Sequence, residues 1–134
     1  MKNTIENIRL SQRAKDRLIT LKRTMGMNQW NELCRWAFCL SLSDPNPPSP
    51  RKIPSDSTVE MTWKTFGGPQ HELYWALLCF RCKQDGYPLE DEVLKAQFRL
   101  HLHRGIASMA GNPKLRTIES VIKLVRPNKS SQRV

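Results

Sequence analysis

The chain has 134 residues and 15.6 kDa, 39% hydrophobic and 25% charged, enough for one globular domain with a real core and too little for two comfortable ones. Its four cysteines are too sparse and irregular for a disulfide scaffold. Its longest apolar run, Leu73 to Phe80, falls far short of the ~20 residues that span a bilayer. Lys and Arg number 22 against 12 Asp and Glu, a net charge of +10, which favours an anionic polymer as partner.

Met1 to Glu6 carries no apolar signal segment and no cleavage site, so the sequence reads as cytoplasmic. Ile8 and Leu10 flank Arg9 in the alternation of a short strand. Ser11 is placed to cap a first helix, and Leu10, Ala14, Leu18, Leu21 and Met25 recur on it within about 80° of one another. Gly26 suits the left-handed residue that ends it. Asn28 is placed to cap a second helix that runs to about Leu42. On it Trp30, Leu33, Cys34, Trp36, Ala37, Phe38, Cys39 and Leu40 are apolar nearly all round. Such a helix must be covered on more than one face, which assigns Trp30, Leu33, Trp36 and Phe38 to the core or to an oligomer interface. Strand, helix, tight Gly turn and helix is the order of a ribbon-helix-helix unit, in which two chains pair their strands and the ribbon reads a DNA groove.

Residues 44–54 hold five prolines, which excludes a helix or central strand. The resulting loop, 44–57, serves as a recognition peptide or, since apolar sequence resumes at once, as a structural crossover. Val59, Met61 and Trp63 alternate with polar residues from Thr58 to Phe66, predicting a second strand. Gly67-Gly68 breaks it, and Pro69 suits the first position of a third helix over about 69–85, whose apolar run makes it the expected central core helix. A fourth helix follows Pro88, with Glu90-Asp91-Glu92 at the positive end of its dipole. Its apolar face is Leu94, Phe98, Leu102, Gly105, Ile106 and Met109, and Gly111 ends it. Asn112-Pro113 opens a fifth, with Ile118, Val121, Ile122 and Val125 inward. The expected fold is mainly α: a ribbon-helix-helix-like N-terminal unit, a second short strand and three further helices in one domain over 1–126, with a basic flexible tail at 127–134.

The charge is segregated. Residues 1–42 carry +5, residues 43–92 carry −3 and residues 93–134 carry +8. Arg13 and Arg17 flank one edge of the first helix's apolar stripe and Lys15 and Lys22 the other. With Arg9 and Arg23 they are the candidate phosphate contacts; snorkelling stems that cover the stripe are the alternative, and both can hold at once. Cys79-x-x-Cys82 is one pair where a structural zinc needs four ligands, and its apolar neighbours raise a thiol's pKa. All four cysteines read as core. His101 and His103 project about 200° apart on a helix and cannot chelate one ion. His101 is expected to pack or to bond a backbone carbonyl, and His103 to face outward beside Arg99 and Arg104. His71 is placed to cap the third helix or to join a site. Without a phosphate loop, nucleophile elbow or His-Glu-x-x-His, no catalytic residue, metal or cofactor is assigned.

Four segments carry a resemblance: Ile8-Arg9-Leu10-Ser11-Gln12-Arg13-Ala14-Lys15, Trp30 through Leu42, Glu60-Met61-Thr62-Trp63-Lys64 with Phe66-Gly67-Gly68, and Phe98 through Ile106. Over about residues 5–125 the chain resembles DndE, the small subunit of the bacterial DNA phosphorothioation system, a defence-associated DNA sulfur modification. The resemblance implies machinery that replaces a non-bridging phosphate oxygen of DNA with sulfur, delivered by a cysteine desulfurase and an iron–sulfur partner beside an ATPase. It also implies a homotetramer that favours nicked double-stranded DNA, and it supplies no catalytic residue. Two alternatives stay open: a ribbon-helix-helix repressor of its own operon, and a metal- or cysteine-dependent nicking or sulfur-transfer enzyme using Cys79, Cys82 and His71.

Overall fold

The computed structural model describes residues 3–112. The fifth helix expected beyond Asn112 and the tail at 127–134 lie outside the described residues. In order come β1 (Asn7–Arg9), α1 (Gln12–Met25), α2 (Trp30–Ser43), β2 (Glu60–Thr62), the one-turn α3 (Trp63–Gly67), a 3-10 turn (Gly68–Gln70), α4 (His71–Gln84) and α5 (Asp91–Gly111). The fold is mainly helical, as expected, with one two-stranded antiparallel sheet among the described residues. No helix among them is long and apolar enough to cross a membrane.

β1 pairs with β2 of the same chain, Ile8 opposite Met61 and Arg9 opposite Glu60. Ile8 and Met61 turn inward, while Arg9 and Glu60 form an exposed cross-strand ion pair at 2.7 Å. The order of elements matches a ribbon-helix-helix unit, but the strand's partner is intramolecular. Ser11 caps α1 by accepting from the Ala14 N–H at 3.1 Å, and the Leu10, Ala14, Leu18 and Leu21 stripe is buried. Gly26 ends the helix at φ 68°, where a Cβ would be strained. The N-cap of α2 is Gln29 rather than Asn28, without a side-chain bond.

The expected strand over 58–66 is cut to three residues, because Trp63 opens a helical turn capped by Thr62. In a strand, positions 63 and 66 would face opposite sides. In a helix they share one, so Trp63 and Phe66 both enter the core. Their rings lie 4.9 and 5.1 Å from Phe98, and Phe98 lies 5.2 Å from Phe38, an aromatic cluster in mutually tilted geometry.

The centre of the molecule is the crossing of α2 and α5, and α4 is not the central helix the sequence suggested. At Gly105 the two backbones meet: a Cβ there would fall 1.8 Å from the Ala37 carbonyl oxygen. The apolar run of α4 covers more than one face, and the core accepts only the side bearing Trp75, Leu78 and Cys82. Leu73 and Phe80 are left 52% and 69% exposed.

The proline-rich segment is held as a crossover. Each proline removes an N–H but keeps a carbonyl, and arginine supplies five donors and no acceptor. Buried Arg81 donates to the carbonyls of Leu42 (2.9 Å), Asp44 (2.8 Å) and Asn46 (3.0 Å) while pairing with Asp85 at 2.9 Å. Arg104 donates to the Asn46 carbonyl at 2.7 Å, and Arg99 to those of Ile53 and Pro54 at 3.0 and 3.1 Å. Both ends of the loop are thereby pinned to α4 and α5.

Candidate nucleic-acid interface

The six basic residues singled out in the sequence do not form one surface. Arg13 and Arg17, one turn apart on α1, face the C-terminal end of α5 across a concavity of about 450 Å³ floored by Ala107, Ala110 and Gly111. The small side chains there leave room beneath the guanidinium groups. A second concavity of about 380 Å³, bordered by Arg51 and Arg104, shares Ala107 with the first, so the two abut. Arg51, on the loop, is the residue that sequence reasoning missed; nothing local to Pro50-Arg51-Lys52 says which helix the loop will cross.

Electrostatics ties these groups together. Partial burial first, then repulsion from Arg13 and Arg51, lowers the pKa of Arg17 from its ordinary value. Like charges held this close favour binding of an anion between them. Among the described residues, no hydrogen bond or ion pair occupies the side chains of Arg13, Arg17 or Arg51. An acid, Asp16, stands on the wall of the same concavity, where it accepts from the Gln12 amide at 3.0 Å.

The other candidates point elsewhere. Arg9 is engaged by Glu60 and by the Ser57 carbonyl at 3.1 Å. Lys15 donates to Thr58 Oγ1 at 2.8 Å, and Lys22 sits 4.5 Å over the Trp30 ring, a cation–π contact. Arg23 is exposed in the last turn of α1, where its charge complements the helix dipole. Leu33 and Phe38 are fully buried in the chain's own core, and Trp30 and Trp36 are half-buried.

His103 corrects an expectation. It does not face outward: it is buried, because α5 lies across the start of α1. Its Nε2 accepts the Ser11 N–H at 3.2 Å, so Nδ1 carries the proton and donates to the Arg99 carbonyl at 2.9 Å. Burial above all, with Arg99, Arg51 and Arg17 nearby, pushes its pKa down to about 4. His101 is wholly buried, its Nδ1 2.8 Å from Ser41 Oγ rather than from a backbone carbonyl, and its pKa also falls to about 4 through burial. Half-buried His71 accepts the Trp63 indole N–H at its backbone carbonyl, 2.9 Å away. Burial raises the thiols of Cys34 and Cys82 to about 12 and about 11, and also raises Cys79. Among the described residues, no group of three or more His, Cys, Asp or Glu is placed to hold a metal ion.

The family described as DNA sulphur modification protein DndE matches residues 7–117, most of the chain. The chain belongs to the DndE family. Solved DndE structures share its fold. One is a DndE from Escherichia coli B7A, described as involved in DNA phosphorothioation modification. It is 24% identical with a TM-score of 0.67, covering 81% of this chain and 99% of that one. Another is a glycine-to-lysine DndE mutant, described as involved in DNA phosphorothioation. It is 25% identical with a TM-score of 0.61, covering 80% of this chain and 98% of that one. A comparison with curated proteins finds no match.

Proposed function

We propose that this DndE-family chain is a non-catalytic subunit of the DNA phosphorothioation machinery that binds double-stranded DNA through its phosphates. In this reading it works as a homo-oligomer, a tetramer by the resemblance, alongside the iron–sulfur and ATPase subunits of a cytoplasmic system. The observation that carries the proposal is the convergence of Arg13, Arg17 and Arg51 around two adjoining concavities that share Ala107, with no counter-ion bonded to them among the described residues. Guanidinium groups recognise phosphate oxygens in paired geometry, and a cluster of them whose neighbouring amide, Gln12, already donates to Asp16 favours backbone over base-edge contact. Nicked duplex is preferred because a broken strand bends onto such a surface at little elastic cost.

Titration of the protein onto matched intact, singly nicked and candidate-operator duplexes at several salt concentrations tests this reading. Tightest binding to the nick, regardless of sequence, is the expected result. The Arg13→Ala/Arg17→Ala/Arg51→Ala variant should flatten the salt slope by about 0.9 per lost phosphate contact. An unchanged slope would remove these residues from the contact surface.

The repressor reading predicts a strong preference for the intact operator. Against it stands the pairing of β1 with β2 inside one chain, which occupies one edge of the strand a second chain would pair with, while Arg99 donates to the Arg9 carbonyl of that strand at 2.8 Å. The cysteine-dependent alternative needs a thiolate, and burial raises the pKa of Cys79 and Cys82 away from one.

A further inference from the structure

We propose that the concavity between α2 and α4 is a nucleotide site, in which Arg35 holds a phosphate and the rings of Trp36 and Tyr74 hold the base. The proposal does not rest on the duplex-binding reading above, because this concavity shares no lining residue with those of Arg13, Arg17 and Arg51. It measures about 340 Å³, within the range of ~300–1,000 Å³ that small-molecule sites occupy. Glu32, Arg35, Trp36 and Cys39 line it from α2, at the i, i+3, i+4 and i+7 spacing that puts them on one helix face. Tyr74 lines it from α4, its ring centred 5.4 Å from that of Phe66 and 6.3 Å from that of Phe38.

Arg35 is held in place by two independent contacts. Its Nε donates to the Phe66 carbonyl at 2.6 Å. A Cβ added at Gly68 would meet its Nη2, Cζ and Nη1 at 3.4, 3.5 and 3.5 Å, and distances so nearly equal lay the flat face of the guanidinium on that glycine. Gly68 stands at φ 60°, where a larger residue would be strained. With one edge and one face fixed, both Nη groups remain, and among the described residues they make no hydrogen bond or ion pair. Glu32, one turn earlier on the same helix, does not pair with them. A guanidinium fixed with its fork unengaged suits the paired oxygens of a phosphate. Burial above all, then the neighbouring Cys39, raises the pKa of the Tyr74 phenol, and burial raises that of the Cys39 thiol. Neither group therefore sets a negative charge against an anion on Arg35. Trp36 and Tyr74 are half-buried, so each offers ring surface on which a base stacks. Exposed Glu32 is an acceptor for the exocyclic amine of a base. An unpaired cation, an unpaired acid and two aromatic rings together match a nucleotide whose base bears an amine. A subunit contact on this face would bury both unpaired charges, and charge is depleted at the centre of such contacts.

A soluble nucleotide and an unpaired nucleotide of a DNA strand carry the same groups, and calorimetric titration of the full chain separates them. The titrants are deoxycytidine monophosphate, deoxyuridine monophosphate, inorganic phosphate, a blunt duplex and the same duplex with a short cytidine overhang. The cytidine nucleotide should bind about fivefold more tightly than the uridine nucleotide, which carries an oxygen in place of the amine. Inorganic phosphate should bind more weakly than either. Trp36→Leu should weaken nucleotide binding about tenfold. Arg35→Lys, which keeps the charge and loses the fork, should weaken it several-fold, and Glu32→Gln should abolish the preference for cytidine. Trp36 and Glu32 are half-buried and exposed, so their variants should keep the fold by circular dichroism and decide the matter even where Arg35→Lys unfolds. Saturation by the free nucleotide identifies a soluble ligand. Binding of the overhang alone, above the blunt duplex and with the same losses in the variants, identifies an unpaired strand end. The site would be overturned by no binding of either nucleotide together with no gain of overhang over blunt duplex. Affinities that Trp36→Leu leaves unchanged, or inorganic phosphate bound as tightly as the nucleotide, would overturn it equally.

Discussion

Replacing Gly105 with alanine should damage this protein more than any other single-methyl addition at a described glycine without positive φ. The added Cβ would meet the Ala37 carbonyl oxygen at 1.8 Å, its carbon at 2.4 Å and Cα at 2.9 Å. These are backbone atoms in the middle of α2, so no side chain can swing away. Reaching ordinary contact requires α2 and α5 to part by roughly 1.5 Å, and a gap of that size forfeits much of the dispersion energy along the interface. Phe38, Phe98 and His101 all pack there. Overpacking of this kind costs about 1–3 kcal/mol and occasionally more, and alanine's helix preference over glycine returns about 1 kcal/mol. Because the clash is with backbone, the cost lies at the top of that range, and a net loss of about 2 kcal/mol is expected, lowering Tm by roughly 7 °C at this chain length. Gly111 is the internal control: it sits on the same helix, and a methyl added there would meet nothing within 4 Å, so Gly111→Ala should change stability by less than about 1 kcal/mol. Urea unfolding of the two variants beside the wild type decides the matter. Equal midpoints for Gly105→Ala and wild type would refute the close crossing.

His101 and His103 are both neutral and buried, with pKa values near 4 against about 6.5 in the unfolded chain. The unfolded state therefore takes up protons first as pH falls, and stability should drop between about pH 6.5 and 4, by about 2 kcal/mol per histidine at pH 5. His103→Gln should remove roughly half of that dependence, and a urea midpoint that stays level from pH 7 to 5 would contradict it. Arg81→Ala should release the proline-rich loop, stranding the carbonyls of Leu42 and Asp44 and the buried Asp85 carboxylate. A loss of about 3–5 kcal/mol is expected, with limited proteolysis cutting first within 45–56; a loop as resistant as wild type would show that Arg99 and Arg104 suffice. Removing the exposed Arg9–Glu60 pair by Arg9→Ala should cost under about 1 kcal/mol in the same urea assay, and a larger loss would mean that its bond to the Ser57 carbonyl carries the strand pairing.

Much of the helical framework was legible from local chemistry. Ser11, the Leu10 to Leu21 stripe and Gly26 state the start, buried face and end of α1 within seventeen residues. Glu90-Asp91-Glu92 and the stripe ending near Met109 do the same for α5, since capping, dipole complementarity and periodicity act between neighbours in the chain. The prolines announced the loop for the same reason.

Tertiary structure decided whatever depended on a distant partner. Trp63 reads as a strand residue by alternation, yet the aromatic cluster needs it and Phe66 on one side, and a helical turn supplies that. His103 reads as outward until α5 crosses the start of α1 and offers it the Ser11 N–H. Most telling are the arginines, alike in sequence and different in employment. Arg81, Arg99 and Arg104 spend donors on loop carbonyls, whereas Arg13, Arg17 and Arg51 converge with no ion pair among the described residues. Composition counts charges; only the course of the backbone decides which carbonyls lack a donor, and therefore which guanidinium groups remain available to a phosphate.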